Sequence, residues 1–185
     1  MVNLHLGCGK RFLPGFIHID LADFPHIDYQ HDIRTLPMFE DETVDLIYAC
    51  HVLEYFDVYE VHDVLKEWHR VLKPKGTLRL AVPDFDALDF AYHMWGLPAI
   101  LGPLYGRWEV SPGVVIYHKT VYNMEDMEKL LRESGFSFVH RYDWRETIHK
   151  DYDDYSQAYL PHMQKDTGTL ISLNVECKKG TDYYV

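Results

Sequence analysis

Cysteine is scarce in this chain, and the three that occur, Cys8, Cys50 and Cys177, stand far apart without metal-type spacing. An odd, scattered set of thiols excludes a disulfide scaffold and reads as the reduced cysteines of a cytoplasmic protein. Positive charge is also in short supply: 18 Lys and Arg face 29 Asp and Glu, a net charge of −11. Nucleic acid demands a basic footprint, so no DNA or RNA partner is expected. Long apolar runs are missing. The most hydrophobic region, Phe90 to Trp108, is broken by Gly96, Pro98, Gly102 and Pro103, which argues against a membrane span. The first residues enter a strand with neither a basic segment nor a long apolar core, so no signal peptide is expected.

Aromatic residues, by contrast, are plentiful: 14 Tyr, 9 Phe and 4 Trp. The chain opens on Val2-Asn3-Leu4-His5-Leu6, a short apolar strand that runs into Gly7-Cys8-Gly9. Phe16-Ile17-His18-Ile19-Asp20 reads as a second strand with a carboxylate at its end, and Ile27 to His31 as a short third. Val44 to Ala49 is a near-continuous apolar run of the kind that suits a parallel strand covered on both faces. Asp57 to Lys73 has helical spacing, with Asp57 and Glu60 as a capping pair and Pro74-Lys75-Gly76 as its stop. Thr77 to Val82 returns as a strand, Asn123 to Ser134 forms a second capped helix, and Phe136 to Tyr142 and Thr169 to Cys177 are the last strands. Strands alternating with helices imply an α/β fold with a mostly parallel, doubly wound sheet in a single domain over residues 1–185. Residues 84–122 and 145–168 fit no element; their rings argue for ordered inserts over a pocket.

In this order the segments resemble a class I S-adenosylmethionine-dependent methyltransferase of the type 11 kind. The likeness rests on Leu4-His5-Leu6-Gly7-Cys8-Gly9, Asp20, Asp32-Ile33 with Leu36-Pro37, Asp45 to Glu54, Arg70 to Leu78, and Leu130 to Phe136. It implies a Rossmann-like, seven-stranded sheet with an antiparallel last strand, and S-adenosylmethionine as cofactor with S-adenosylhomocysteine as product. It assigns the cofactor to Leu6, Gly7, Cys8, Gly9, Asp20, Leu21, Asp32, Ile33, Ala49, Cys50 and His51, with Asp20 toward the ribose and Asp32-Ile33 beside the adenine. By themselves Gly7 and Gly9 fit a tight turn as well as a ligand loop, and Asp20 and Asp32 fit turn or cap positions. Only Lys10 to Gly15 separate the glycine loop from the second strand, so the first crossover helix is missing or reduced. That shortened loop, ending Pro14-Gly15, resembles a small methyltransferase subgroup associated with polysaccharide and cell-surface sugar functions.

Methyl transfer asks the protein for alignment and for a base when the acceptor is a hydroxyl. The loops beyond the strand ends supply His51, Asp84, Tyr117 and His118. His118 is the first candidate base, with a backbone-bonded histidine as the plainer alternative; His51 could pack on the cofactor, and Asp84 could orient a basic group or cap the next segment. His51 and Glu54 stand at i, i+3, with His62 and His69 beyond, but those two lie on an amphipathic helix and no metal is expected. The expected function is methylation of a small polar acceptor such as a sugar. A non-catalytic cofactor-binding module is the alternative. A dinucleotide oxidoreductase is third, disfavoured because Phe12 stands where a third glycine belongs and no helix follows to hold a pyrophosphate. The aromatic inserts are also a candidate homodimer contact.

Overall fold

In the computed structural model residues 1–180 are described. Residues 181–185, part of the single-domain reading, lie outside the described residues. Strands β1 (Asn3–Leu6), β2 (Ile17–Asp20), β3 (Tyr29–Gln30) and β4 (Val44–Cys50) are followed by helix α1 (Glu60–Val71) and strand β5 (Leu72–Pro83). Helices α2 (Phe85–Trp95) and α3 (Leu97–Tyr105), hairpin β6 (Trp108–Ser111) and β7 (Val114–Ile116), helix α4 (Met124–Glu133) and strand β8 (Phe136–Arg141) come next. Strands β9 (Tyr159–Leu160), β10 (Thr169–Leu170) and β11 (Ser172–Lys179) complete the described chain.

The main sheet has seven strands in the order β3-β2-β1-β4-β5-β11-β8. The first five are parallel, and β11 runs antiparallel to both β5 and β8. Order reverses between β1 and β4, the switch point beyond which open α/β sheets bind ligands.

Strand periodicity divides the sheet into two unlike faces. Leu4 and Leu6, Ile47 and Ala49, Leu78 and Leu80, Leu173 and Val175 all point to one side and join the main core. Helix α1 covers that side with Val61, Val64, Leu65, Trp68 and Val71, and α4 with Met127, Leu130 and Leu131. Asp57 and Glu60 cap α1 reciprocally, Asp57 Oδ1 accepting the Glu60 N–H at 2.9 Å and Glu60 Oε2 accepting the Asp57 N–H at 3.1 Å. The helix begins a turn later than the spacing predicts, and β5 leaves its end directly, with Lys75 in the left-handed region at a break in the β4 pairing. Asn123 caps α4 as expected, its Oδ1 accepting the Asp126 N–H at 2.8 Å.

The opposite face carries His5, Tyr48, Arg79, Asn174 and Glu176, beside a small apolar cluster of Leu13, Phe16, Leu46 and Tyr48. No helix joins β1 to β2, as the short loop predicts. Residues 143–160 cover that face instead, as single turns rather than a helix. The Tyr48 hydroxyl donates to Asp154 Oδ2 at 2.6 Å, the His149 ring lies tilted against that of Tyr48 with centroids 4.2 Å apart, and Asn174 Nδ2 donates to the Ser156 carbonyl at 2.8 Å. Among the described residues no helix is long and apolar enough to cross a membrane.

Candidate active site

A cavity of about 1010 Å³ opens beyond the carboxyl ends of β1, β2 and β4. Its first wall is the glycine loop. Gly7 (φ 60°) and Gly9 (φ 54°) both lie in the left-handed region, where a Cβ is costly. A Cβ on Gly7 would stand 2.5 Å from Val52 Cγ2, and one on Gly9 3.2 Å from the Trp108 ring of the β6–β7 hairpin.

Asp20, buried at the end of β2, ties that loop down: Oδ2 accepts the Gly9 N–H at 2.7 Å and Oδ1 the Ala22 N–H at 2.8 Å. Each carboxylate oxygen keeps a further lone pair, and the residue lines the cavity beside the half-exposed Leu21. Cys8, buried in the loop with its thiol pushed up to about 12 by desolvation, stays a neutral wall group. Asp32 and Ile33 form the next stretch of wall. Trp68 of α1 donates from Nε1 to the Ile33 carbonyl at 2.8 Å, and Arg34 Nη1 holds Asp32 Oδ2 at 2.7 Å. Arg34 continues to Glu60, which also accepts from Lys119 Nζ at 2.6 Å. Lys119, first among the causes, holds the Glu60 carboxyl down to about 2.

The far wall comes from the two inserts. Gly102, Pro103, Arg107, Trp108 and Ile116 to Lys119 contribute from one, Asp153 to Tyr155, Tyr159, Leu160, His162 and Met163 from the other. Arg11 of the glycine loop joins them: its Nε donates to the Asp153 carbonyl at 2.8 Å and its guanidinium lies 4.6 Å from the Tyr155 ring centre. Residues of both inserts therefore line the cavity.

His51 and His118 come together here. His51 follows β4 with a left-handed backbone (φ 54°), its N–H donating to the Ala81 carbonyl at 2.7 Å. Burial drives its imidazole down to about 3 and lowers that of His118. Between the rings sits Glu54, fully buried, 3.3 Å from His51 Nδ1 and 3.7 Å from His118 Nε2. Neither Glu54 oxygen has a hydrogen-bond partner. Desolvation pushes its carboxyl up to about 8.

The other sequence-derived residues divide. Tyr117 and Cys50 line the cavity; Leu6 and Ala49 are buried in the apolar core instead. Asp84 does both things open to it, but away from the cavity wall: Oδ1 caps α2 by accepting the Asp86 N–H, and Oδ2 pairs with Arg141 Nη1 at 2.8 Å. Sequence reasoning overlooked Arg11 and Trp108, and met Glu54 only as the end of the Asp45 to Glu54 segment and through its i, i+3 spacing from His51. No group of three or more metal-ligating side chains with metal-binding geometry occurs among the described residues.

The methyltransferase domain family matches residues 14–80. A curated protein of Schizosaccharomyces pombe, described as an uncharacterised methyltransferase, is 28% identical over 158 residues; the match takes in 76% of this chain and 60% of the relative, so the chain spans less than two thirds of that relative's length. Among solved structures, an S-adenosylmethionine-dependent methyltransferase from Methanosarcina mazei superposes with a TM-score of 0.59 at 15% identity, covering 97% of this chain and 92% of the other. The Burkholderia thailandensis 1,6-didemethyltoxoflavin-N1-methyltransferase, solved with S-adenosylhomocysteine bound, gives 0.57 at 13% identity, covering 97% and 71%. The matched segment is similar to the methyltransferase domain family, and the whole fold is like that of solved S-adenosylmethionine-dependent methyltransferases.

Proposed function

We propose that this chain is an S-adenosylmethionine-dependent methyltransferase acting on a small polar acceptor, with a sugar or polysaccharide precursor as the class suggested by its shortened glycine loop. The observation that carries the reading is one cavity lined by the glycine loop, Asp20 and Ile33 together with His51, His118 and Tyr117. Its residues fit the cofactor: left-handed glycines leave room at the loop, Asp20 offers free lone pairs to a ribose diol, and Ile33 offers an apolar edge to a purine. The volume exceeds what a single drug-sized ligand fills at the lower end of the usual range, which leaves space for an acceptor beside it.

Bound S-adenosylmethionine supplies an activated methyl group, and its transfer leaves S-adenosylhomocysteine. The protein's part is to align the acceptor and take its proton. His118 and His51 are the groups for that proton, both held as neutral imidazoles by burial. Tyr117, half exposed at the rim, contacts the acceptor. Asp84 acts on the site only through α2 and Arg141.

Release of S-adenosylhomocysteine is the assay, run with a panel of sugars and sugar nucleotides. On a productive acceptor His118→Ala and His51→Ala each lower turnover by roughly 10²-fold or more. Unchanged turnover in either variant removes that histidine from the assignment. Tight cofactor binding with no release on any acceptor would make the protein a binding module instead.

A further inference from the structure

Both oxygens of the buried Glu54 carboxyl are idle, and the hydrogen bonds around it fix what it must supply. His118 Nδ1 lies 2.9 Å from the Pro103 carbonyl. A carbonyl can only accept, so that nitrogen carries the ring proton and Nε2, turned toward Glu54, is a lone pair. On the other side His51 Nε2 lies 3.4 Å from Ser172 Oγ. The Ser172 hydroxyl donates to Asn174 Oδ1 at 2.9 Å, and the Asn174 amide is oriented by its own donation to the Ser156 carbonyl. Ser172 is therefore the acceptor, His51 Nε2 carries the proton, and His51 Nδ1 also shows Glu54 a lone pair.

Two imidazole lone pairs converge on one carboxyl oxygen, 3.3 Å and 3.7 Å away. An ionised carboxylate would repel both; a protonated carboxyl can donate to one of them at a time. Among the described residues no Lys or Arg pairs with Glu54. The remaining titratable groups that face it are Tyr55, Tyr122 and Cys50, all pushed up by burial first and by Glu54 among the further causes, and all neutral at pH 7. Arg11 acts on His51 from the glycine loop.

We propose that Glu54 is the positioning residue of the acceptor site: a protonated carboxyl that engages His51 or His118 alternately, and so sets which of the two rings keeps its acceptor nitrogen free for the substrate. This rests on the methyltransferase reading for its purpose. The proton itself stands on the geometry alone, and the upward push of desolvation on the Glu54 carboxyl agrees with it.

The test is an NMR titration of the whole chain, ¹³C at the Glu54 carboxyl and ¹⁵N at the imidazoles, without cofactor. The expected result is a Glu54 step near pH 8, far above the ordinary carboxylate range, with a step at the same pH in both His51 and His118. In Glu54→Gln those two histidine steps disappear. Denaturant unfolding gives a second readout. A carboxyl whose folded value is raised from 4.5 to about 8 contributes fully below pH 4.5, and the contribution is lost as pH rises toward 8. Stability of Glu54→Gln relative to wild type therefore climbs across that window and then levels, whereas a packing role would give a constant offset. A Glu54 carboxyl that titrates near 4.5, histidine steps that persist in the Gln variant, or a stoichiometric metal whose removal by chelator shifts both rings overturns the proposal. If Glu54→Gln does not fold, the wild-type titration alone decides. Because that titration needs neither cofactor nor acceptor, its failure is distinct from a failure to bind S-adenosylhomocysteine, which would strike the methyltransferase reading instead.

Discussion

The Tyr48 hydroxyl lies 2.6 Å from the Asp154 carboxylate, a fully buried bond between residues 106 positions apart. It joins the central strand β4 to the segment that stands in for the missing first helix. That segment then carries Tyr155 and Asp153 to the cavity mouth, so the same bond links the cover of the sheet to the wall of the site.

Tyr48→Phe keeps the ring packing and leaves Asp154 Oδ2 without its donor. An unpaired buried acceptor costs about 1–3 kcal/mol, read as a lower denaturant midpoint. Hydrogen exchange in residues 145–160 should rise more than in α1 or α4, because the bond holds that segment alone.

Gly7→Ala places a Cβ against Val52 and forces alanine into the left-handed region. The backbone alone costs about 1–2 kcal/mol, and the contact adds to it. Adding Val52→Ala relieves the contact but not the backbone, so the double variant regains only part of the unfolding midpoint.

Trp68→Phe removes the donor to the Ile33 carbonyl while preserving most of the core volume. The expected loss is about 1–3 kcal/mol, together with weaker S-adenosylhomocysteine binding measured by calorimetry, since Ile33 lines the cavity proposed to hold the cofactor.

Acid should unfold the protein early. Burial holds His149 down to about 4 and His51 to about 3, and lowers His5 well below its ordinary 6.5. These rings are neutral when folded and free to charge when unfolded, so the unfolded state binds more protons below pH 6.5. Stability is full with respect to these groups above pH 6.5 and falls as pH drops toward 4. Unfolding midpoints measured across that range should show the slope, and His149→Gln should flatten it.

Much of the fold was legible because strand and helix patterns agree with burial. Leu4 and Leu6, the Val44 to Ala49 run and the capped α1 and α4 each declare their element, and the absent crossover helix follows from chain length between Gly9 and Phe16. The α2–α3 hairpin was not legible. Leu97 to Tyr105 is apolar all round and carries Pro98, Gly102 and Pro103, which read as breakers, whereas Pro98 sits in the first turn of α3 where proline is tolerated. The cavity wall was legible where it depends on backbone turns, at Gly7, Gly9 and Asp20. It was hidden where distant segments meet, since nothing in the local sequence brings Glu54 between His51 and His118 or sets Trp108 over Gly9. The polar face of the sheet was hidden for the same reason: the Tyr48 hydroxyl and the Asn174 Nδ2 find their partners only once residues 143–160 fold over them.

The central claim is that the cavity beyond the glycine loop holds S-adenosylmethionine. Isothermal titration of the purified chain with S-adenosylhomocysteine tests it most directly. The account predicts saturable one-to-one binding, displaced by S-adenosylmethionine and indifferent to NADH. No heat of binding at millimolar S-adenosylhomocysteine, or binding of NADH in its place, would contradict it.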